Sequence, residues 1–433
     1  MNDTELVSAW NNLVLMFSLS FSAPVGPTFQ ALLLGWVLTT GRHTISGMIP
    51  FARLQSQRPH DAYHYLFPHA RWRPAWLWEK WIHFVVKQFA PNGRVPLDLD
   101  DTLFHKSGRK VNGAAWWRDA VRSTGTKTVH ALGLNLVLLT LRVNPPWGGE
   151  PIGIPVNLRL HRKGGPSLLD LAAEMIAEVA TWLPEREFSL CADGFYASLA
   201  GLKLPRCQVT SRLRHDAAIY DLPSAQRRPG QRGPKPKKGT RLPTPKATAA
   251  HVRNWMRCTT QERGQTRERL LYARQVLWYK VCGAQPVLLV ISRDPDGIEE
   301  DDFFFTTALQ AKPQAAVEGM AGRWSIEDTF RNTKQYLGGE EPQVWKGAGP
   351  ERVAHISFLL YGMVWTWYLL YGHTNGQLYK PEWYSHKERP SFQDALYALR
   401  QALWRERIFS KFEKAPVPAR ISHFLAHALA ACA

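Results

Sequence analysis

The clearest alternation of apolar and acidic residues lies in the segment VPLDLDDTLFHKSGRKVNG (95–113), where leucines alternate with Asp98 and Asp100. A period of two predicts a β-strand. We expect this strand to end in a polar turn, with the adjacent carboxylates Asp100 and Asp101 at its carboxyl end. Carboxylates in that position are well placed to bind a divalent cation. The alternative is that the three aspartates only terminate the strand and solvate the turn.

The N-terminal residues 1–90 have the aromatic, apolar character of a helical region. The segment FQALLLGWVLTTGRHTISGMI (29–49) predicts an apolar helix, a turn at 39–41 and a second helix that begins near Thr44. This order is compatible with a helix-turn-helix DNA module that carries Arg42 and His43 at the turn. An ordinary helical hairpin would give the same pattern.

Two stretches without charge raise the question of a membrane span. The first, between Glu5 and Arg42, is preceded by acidic residues and interrupted by prolines, whereas a signal peptide begins with basic residues. The second, residues 356–372, is rich in tryptophan and tyrosine and is 17 residues long, short of the ~20 apolar residues that a spanning helix needs. We therefore expect buried core helices and no membrane partner.

After residue 95 the pattern changes to strands. The segments 128–143 and 152–160 flank the turn NPPWGGE and predict an antiparallel hairpin. An amphipathic helix is predicted over 166–182. The apolar run 188–192 then ends at Asp193, so a second strand carries a carboxylate at its end. Strand character returns in QPVLLVISR (285–293) and FFFTTAL (303–309).

The formal net charge of the chain is +18, which favours polyanionic partners. Residues 206–280 hold 18 lysines and arginines against four acidic residues. Their Pro- and Gly-rich segment suits an extended arm that follows a phosphate backbone without reading bases, or else a solvated linker. The candidate DNA contacts in this arm are Arg227, Arg228, Arg232, Lys235, Lys237 and Lys238.

The five cysteines are far apart and form no CxxC pair. Their odd number and spacing argue against a disulfide framework and against a zinc site. They favour a reducing compartment, and we expect a cytoplasmic location.

A third carboxylate lies on the predicted helix GMAGRWSIEDTFRNTKQYLGG (319–339). At 100° per residue, Arg323, Glu327 and Lys334 share one helix face, flanked by Phe330 and Arg331. A solvent-facing helix with i, i+4 ion pairs would explain the same pattern. Taken with the two strand-end aspartates, however, Glu327 completes a set of acidic ligands that could hold two divalent ions on a phosphodiester. Magnesium suits such oxygen ligands.

These three segments resemble the DDE transposases of bacterial insertion sequences. DDTLFHKSG (100–108) followed by Gly113 is similar to the first-aspartate motif of that family, and LCADGFY (190–196) is similar to the second-aspartate strand. Arg323, Glu327 and Lys334 match three of the four positions of the tyrosine-arginine-glutamate-lysine signature. The tyrosine position is occupied by Met320, which puts the DNA hairpin intermediate of some relatives in doubt.

The resemblance implies an α/β fold with a ribonuclease H-like mixed five-stranded sheet, three antiparallel strands followed by parallel ones, flanked by helices. It implies a core over 95–205 and 283–345, a basic β-containing insertion over 206–282, a helical DNA-binding region over 1–90 and a helical dimerisation region over 350–433. It also implies catalytic and metal-binding roles for Asp100, Asp193 and Glu327, with two Mg²⁺ ions for which Mn²⁺ can substitute.

The partners that the resemblance implies are double-stranded DNA, at terminal inverted repeats and target sites, and a second copy of the chain. The expected location is the bacterial cytoplasm, with the nucleoid. Arg323 and Lys334 would hold phosphate oxygens, Lys106 would contact the DNA backbone, and Arg331 flanks this face. Trp324 would either stack on a displaced base or be buried. Two rival functions remain: a domesticated DNA-binding protein without catalysis, and a stand-alone nuclease without strand transfer.

Overall fold

The computed structural model describes residues 2–223, 236–374, 378, 386–411, 425 and 428–429. Five helices precede the sheet, as the apolar N-terminal pattern predicts. Their bounds are α1 Asp3–Leu15, α2 Val25–Leu38, α3 Ile45–Ala52, α4 His60–Tyr65 and α5 Pro74–Phe89. Thr44 caps α3 by accepting a hydrogen bond from the Gly47 N–H, which fixes the start of that helix where the sequence predicts it.

The centre of the fold is the mixed five-stranded sheet that the sequence predicts. Its spatial order is β4–β3–β1–β5–β6, with antiparallel pairing on the β4 side of β1 and parallel pairing on the β5 side. The central strands are apolar on both faces because helices cover both. The bounds are β1 Val95–His105, β2 Ala115–Arg118, β3 His130–Val143, β4 Ile152–His161, β5 Phe188–Ala192 and β6 Cys207–Arg212.

The sheet is larger than the predicted five strands. A short β2 pairs with the start of β3, and four further antiparallel strands continue beyond β6 in the order β10–β9–β8–β7, so that ten strands are joined in the described part of the chain. Two of them come from the basic interval 206–282, which therefore shares the core sheet. The bounds are β7 Met256–Glu262, β8 Gln265–Leu277, β9 Pro286–Arg293 and β10 Asp302–Thr306.

Strand β1 does not end at the adjacent carboxylates, which corrects the first prediction. It continues to His105, because β3 pairs with it as far as Gly133. Asp100 and Asp101 thus lie in the middle of β1. The neighbouring strand β5 ends at Ala192, which pairs with Leu99, so β1 has no pairing with β5 from Asp100 onward. Asp193 does follow the end of its strand, as predicted.

The remaining helices enclose the sheet. They are α6 Leu168–Trp182, α7 Pro245–His251, α8 Tyr279–Cys282, α9 Pro313–Gly322, α10 Ser325–Gln335, α11 Gly349–Leu370 and α12 Phe392–Lys411, with a 3₁₀ helix at Gly194–Gly201. Helix α11 is long and apolar enough to cross a membrane, but 94% of its most apolar window is buried inside the protein. Burial in the core accounts for its composition.

A buried polar chain ties the N-terminal helices to α11 and to the sheet. Trp78 Nε1 donates to Nδ1 of His355 at 2.8 Å, which leaves the proton of a neutral imidazole on Nε2, facing Glu351 at 3.9 Å. Arg162, the residue after β4, donates to the other Glu351 oxygen at 2.9 Å. Burial alone would raise the pKa of Glu351, but the His355 and Arg162 interactions outweigh it and lower the pKa to about 2.

Replacement of Glu351 tests this chain through the pH dependence of stability. A folded-state pKa below the unfolded one contributes stability that is present above about pH 4.5 and is lost as the pH falls toward about 2. We expect Glu351→Gln to lower the free energy of unfolding by about 2–3 kcal/mol at pH 7, and by much less at pH 3. Urea unfolding at both pH values measures this difference. Glu174→Gln, an exposed carboxylate on α6, is the control and should show no such convergence.

Candidate active site

The parallel register of β1 and β5 brings the two predicted aspartates together. Asp98 pairs with Cys191 and Leu99 with Ala192, so the next pair in this register is Asp100 beside Asp193. Because side chains alternate along a strand, both lie on the same sheet face as Asp98 and Cys191. The Asp193 carboxylate is fixed by the 3₁₀ helix that follows, since Oδ1 accepts the N–H groups of Phe195 at 2.9 Å and Tyr196 at 3.4 Å.

The third carboxylate, Glu327, comes from the first turn of α10 on this same face. The preceding helix α9 lies very close to the sheet, because a Cβ at Gly319 would stand 3.0 Å from Cys191 Sγ and one at Gly322 would stand 3.0 Å from Arg142 Cδ. Arg142 forms a buried ion pair with Asp98. Burial alone would lower the pKa of Arg142, but the Asp98 carboxylate raises it above its usual value. This pair and the two glycines therefore determine how closely α9 packs against the sheet, and with it the position of α10, which follows α9 in the chain.

The acidic groups of the site influence one another's pKa values. Burial raises the pKa of Asp100 to about 7; Arg323 opposes this rise, while Asp193 and Glu327 add to it. Burial likewise raises the pKa of Asp101 to about 6, with Asp193 and Glu327 adding to it against the hydrogen bond from Tyr196. Carboxylates from β1, β5 and α10 thus repel one another within a desolvated site.

Arg323 is the counter-ion of this acidic group. Its Nη1 donates to Asp100 Oδ2 at 2.5 Å, with both side chains largely buried. Its Nε is buried without a hydrogen-bond partner among the described residues. In the described ranges, no three His, Cys, Asp or Glu side chains stand at metal-binding spacing. The donor set nevertheless fits a hard divalent cation, because it offers several carboxylate oxygens in a partly dry site.

Two predicted DNA-contacting lysines are half-buried near the far end of β1. Lys106 donates to the Glu340 carbonyl at 2.5 Å, and burial lowers its pKa to about 8. Lys334 lies with Nζ 5.8 Å from the centre of the Phe104 ring, and burial lowers its pKa as well, against the attraction of Glu340, Asp119 and Glu327. Lys334 therefore lies near Glu327 on its own helix, as their shared helix face predicts.

The structure separates the other predicted contacts on α10. Trp324 is 44% exposed, so the interpretation of this residue as a buried tryptophan is wrong. The Arg263 guanidinium lies 4.3 Å from the centre of its ring. Arg331 is exposed and pairs with Asp328, on the side of the helix that borders Glu150 and Trp147.

The helical pair α2–α3 does not present its turn as a DNA-reading surface. Helix α2 is buried almost throughout, and a Cβ at Gly35 would meet the Met48 carbonyl of α3. His43 is buried, with its N–H donating to Glu341 at 2.5 Å, so its predicted DNA contact is wrong. Arg42 is exposed. The packing favours the helical hairpin.

The basic arm is described only in part. Lys238 Nζ lies 4.2 Å from the centre of the Tyr220 ring, and Lys237 is exposed beside it. The predicted contacts Arg227, Arg228, Arg232 and Lys235 lie outside the described residues.

The sequence prediction missed the hairpin formed by β7 and β8. Its tip, Arg263–Gly264, has positive φ at both residues and rests on Gly149 of the β3–β4 loop. Behind it, a cavity of about 260 Å³ separates the hairpin from α9 and α10. Its basic lining residues are Arg212, Arg263, Arg267, Arg269 and Arg323. The one sequence signal was the ERGQ turn between two strand-like runs.

A mixed sheet with carboxylates from two adjacent parallel strands and a flanking helix defines a ribonuclease H-like nuclease. The family model of the DDE superfamily endonucleases matches residues 27–279, and the chain belongs to this family. The match includes Asp100 and Asp193 and ends before Glu327, so the place of Glu327 in the site rests on the fold. No individual curated protein matches the chain. Nucleases of this superfamily act on DNA and generally use divalent metals.

Closure of the hairpin tip onto the β3–β4 loop can be tested at Gly264. A Cβ there would overlap the backbone of Gly149, whereas one at Gly297, with a similar φ of 70°, meets nothing within 4 Å. We expect both Gly264→Ala and Gly297→Ala to lose about 1 kcal/mol through the left-handed backbone. Only Gly264→Ala should also speed amide hydrogen exchange in residues 144–151 and 256–268. Equal exchange in the two variants would contradict the contact.

Proposed function

We propose that this protein is a DNA transposase that cleaves a phosphodiester at the ends of a mobile element and transfers the freed strand into target DNA. The observation that carries the proposal is the convergence of Asp100, Asp193 and Glu327 on one sheet face, within the desolvated site that raises the pKa of Asp100 to about 7. Such crowding costs free energy unless positive charge offsets it, which is typical of catalytic sites.

Asp100, Asp193 and Glu327 would hold two Mg²⁺ ions, or Mn²⁺ in their place. Bound ions of this kind lower the pKa of water and stabilise charge on the attacking and leaving oxygens of a phosphodiester. Water attacks phosphorus, the P–O3′ bond breaks, and the 3′-oxygen leaves as a hydroxyl. The same hydroxyl then attacks a phosphodiester of the target, breaking its P–O3′ bond as the new one forms.

The basic residues of the site would orient the phosphate. Lys334 lies on α10 with Glu327, whereas Arg323 lies in the turn before that helix, which interrupts the predicted single helix face. Both would hold non-bridging oxygens, and Lys106 would contact the backbone beyond β1. On the other side, three acidic residues of the cavity behind the β7–β8 hairpin pair with its arginines at positions 212, 267 and 269. The exposed Arg263 at the hairpin tip would contact the DNA that leads to the site. Trp324 is exposed at its border, where its ring could stack on a displaced base.

The tyrosine position of the signature, which Met320 occupies, offers no hydroxyl to the DNA. Met320 is buried in an apolar cluster with Leu271, Leu288 and Phe304. The Tyr196 hydroxyl donates to Asp101 at 2.9 Å. We therefore propose that second-strand cleavage does not depend on a tyrosine at this signature position.

The assembly and location follow from the proposed reaction. Two element ends must be cut and joined together, so we propose that a homodimer forms the synaptic complex, with residues 350–433 in the interface and residues 1–90 on the terminal repeats. The basic insertion 206–282 would bind DNA between them. A protein that acts on the chromosome of a bacterium works in the cytoplasm, with the nucleoid, and the high positive charge suits that partner.

Substitution of each carboxylate tests the catalytic assignment. We expect Asp100→Asn, Asp193→Asn and Glu327→Gln each to lower Mg²⁺-dependent cleavage by about a thousandfold or more, because each removes a ligand charge. DNA affinity should be unchanged or slightly higher. The substrate is a supercoiled plasmid that carries the reading frame with its native flanking DNA, and anisotropy with a labelled flanking duplex gives affinity.

Asp328→Asn is the matched control, since Asp328 adjoins Glu327 on α10 but pairs with Arg331. It should keep cleavage within a few-fold of the wild type. Metal-dependent nicking that survives in one of the three variants removes that residue from the site. Cleavage without any joined product would favour a stand-alone nuclease, and DNA binding without cleavage would favour a non-catalytic protein.

A further inference from the structure

A second basic surface lies on the catalytic face, at the edge of the sheet that β2 forms. We call it the β2 edge; its residues are Arg109, Lys110, Trp116, Arg118, Trp345 and Lys346. Side chains alternate along β2, and Trp116 and Arg118 are the two that point to solvent. Trp116 is 60% exposed. A four-residue strand that exposes an indole beside a guanidinium is not explained by packing within this chain.

The loop after α10 completes this surface. The Asn112 N–H, just before β2, donates to the Trp345 carbonyl at 2.9 Å, which holds the two loops together. Trp345 is 47% exposed, and Lys346 Nζ lies 4.7 Å from the centre of its ring. A second exposed indole, with a cation over it, therefore lies in a loop that is hydrogen-bonded to the segment before β2.

The charge of the β2 edge is not neutralised from within the chain. Its four basic side chains make no ion pair with another side chain in the described ranges. The nearby acidic residue Asp119 is buried and engaged with His105 and Arg122. Exposed cations without an acidic partner suit a polyanion such as nucleic acid, because its phosphates pair with them. The indole rings add apolar contact area beside these cations.

The position of the β2 edge relative to the carboxylates follows from the register of β3. Asp100 pairs with Leu138 and Trp116 pairs with Leu132, so both side chains lie on one sheet face. Six residues of strand separate them along β3, about 20 Å at ~3.4 Å per residue. At ~3.4 Å per base pair this is about six base pairs of duplex. Lys106, whose N–H donates to the Leu132 carbonyl at 2.9 Å, lies level with Trp116 on the other side of β3.

Along β3, the β2 edge lies at the His130 end, whereas the hairpin tip that carries Arg263 rests on Gly149, beyond the Val143 end. Asp100 pairs with Leu138 between these two ends, so the two surfaces lie on opposite sides of it. Strand transfer requires one site to contact two duplexes, the element end and the target. We propose that the β2 edge binds target duplex DNA through its phosphate backbone, without base readout, while the element end lies on the Arg263 side. This inference rests on the proposed transposase function and divides its two substrates between the two surfaces.

The test compares two charge reversals against two duplexes. We expect Arg118→Glu to weaken binding of a fluorescein-labelled mixed-sequence duplex about tenfold and to lower the salt slope of that binding by about 1. Binding of the flanking-DNA duplex and its cleavage should stay within about twofold of the wild type. Arg263→Glu should show the reverse pattern. Trp116→Ala should weaken mixed-sequence binding and strand transfer, and Trp116→Phe should restore both.

The control is Lys203→Glu, an exposed lysine at the amino ends of β5 and β6, the end of the sheet opposite Asp193. It should leave both affinities unchanged. If Arg118→Glu loses affinity equally for both duplexes, or for neither, the proposal is overturned. A wild type that prefers single-stranded RNA and loses that preference in Arg118→Glu also overturns it. A wild type that binds both duplexes but joins nothing contradicts the transposase function alone, and the affinities still decide on the β2 edge.

Discussion

The parallel pairing of β1 with β5 is the constraint on which the site depends. It aligns two aspartates that are far apart in sequence, and only this register puts both on the face that α10 covers. A slip by one residue would turn Asp193 toward the opposite face. The buried Asp98–Arg142 pair lies one alternation below the two aspartates and contacts α9 at Gly322. Neighbouring residues thus fix both the strand register and the packing of α9 on the sheet. The position of the third carboxylate, Glu327, depends on both.

This arrangement places acidic side chains where they are expensive to bury. Desolvation and mutual repulsion both favour the protonated form of Asp100, and Arg323 offsets part of the cost with a short ion pair. Elsewhere the chain buries charge with full partners, as at Glu351 between Arg162 and His355. Perturbed carboxylates of this kind are concentrated in functional sites, and this agrees with the role that we propose for the acidic group.

Local pattern was enough to predict much of this fold. The alternation at Asp98 and Asp100, the hairpin that spans β3 and β4 and the apolar run before Asp193 all reflect strand periodicity, which is encoded within a few residues. The end of β1 was predicted too early because the residues TLFH (102–105) do not alternate between apolar and polar types. They nevertheless pair with β3. The DNA contact assigned to His43 was wrong because a turn motif does not reveal that Glu341, some 300 residues later, packs on it.

The larger sheet was also beyond local pattern. Strands β7 and β8 are rich in arginine and polar residues, and their pairing with β9 depends on contacts that only the assembled sheet provides. Trp324 shows the same limit, because the hairpin that places Arg263 over its ring arrives from a different part of the chain.

The contact between Arg323 and Asp100 has one further consequence. A single guanidinium has a fixed fork of donors, and those facing the carboxylate cannot grip a phosphate at the same time. Occupancy of the acidic group and the hold on nucleic acid are therefore mutually dependent through one side chain. A cation that displaces Arg323 from Asp100 must therefore change the affinity of the protein for nucleic acid. By thermodynamic reciprocity, bound nucleic acid must change the affinity for that cation by an equal factor.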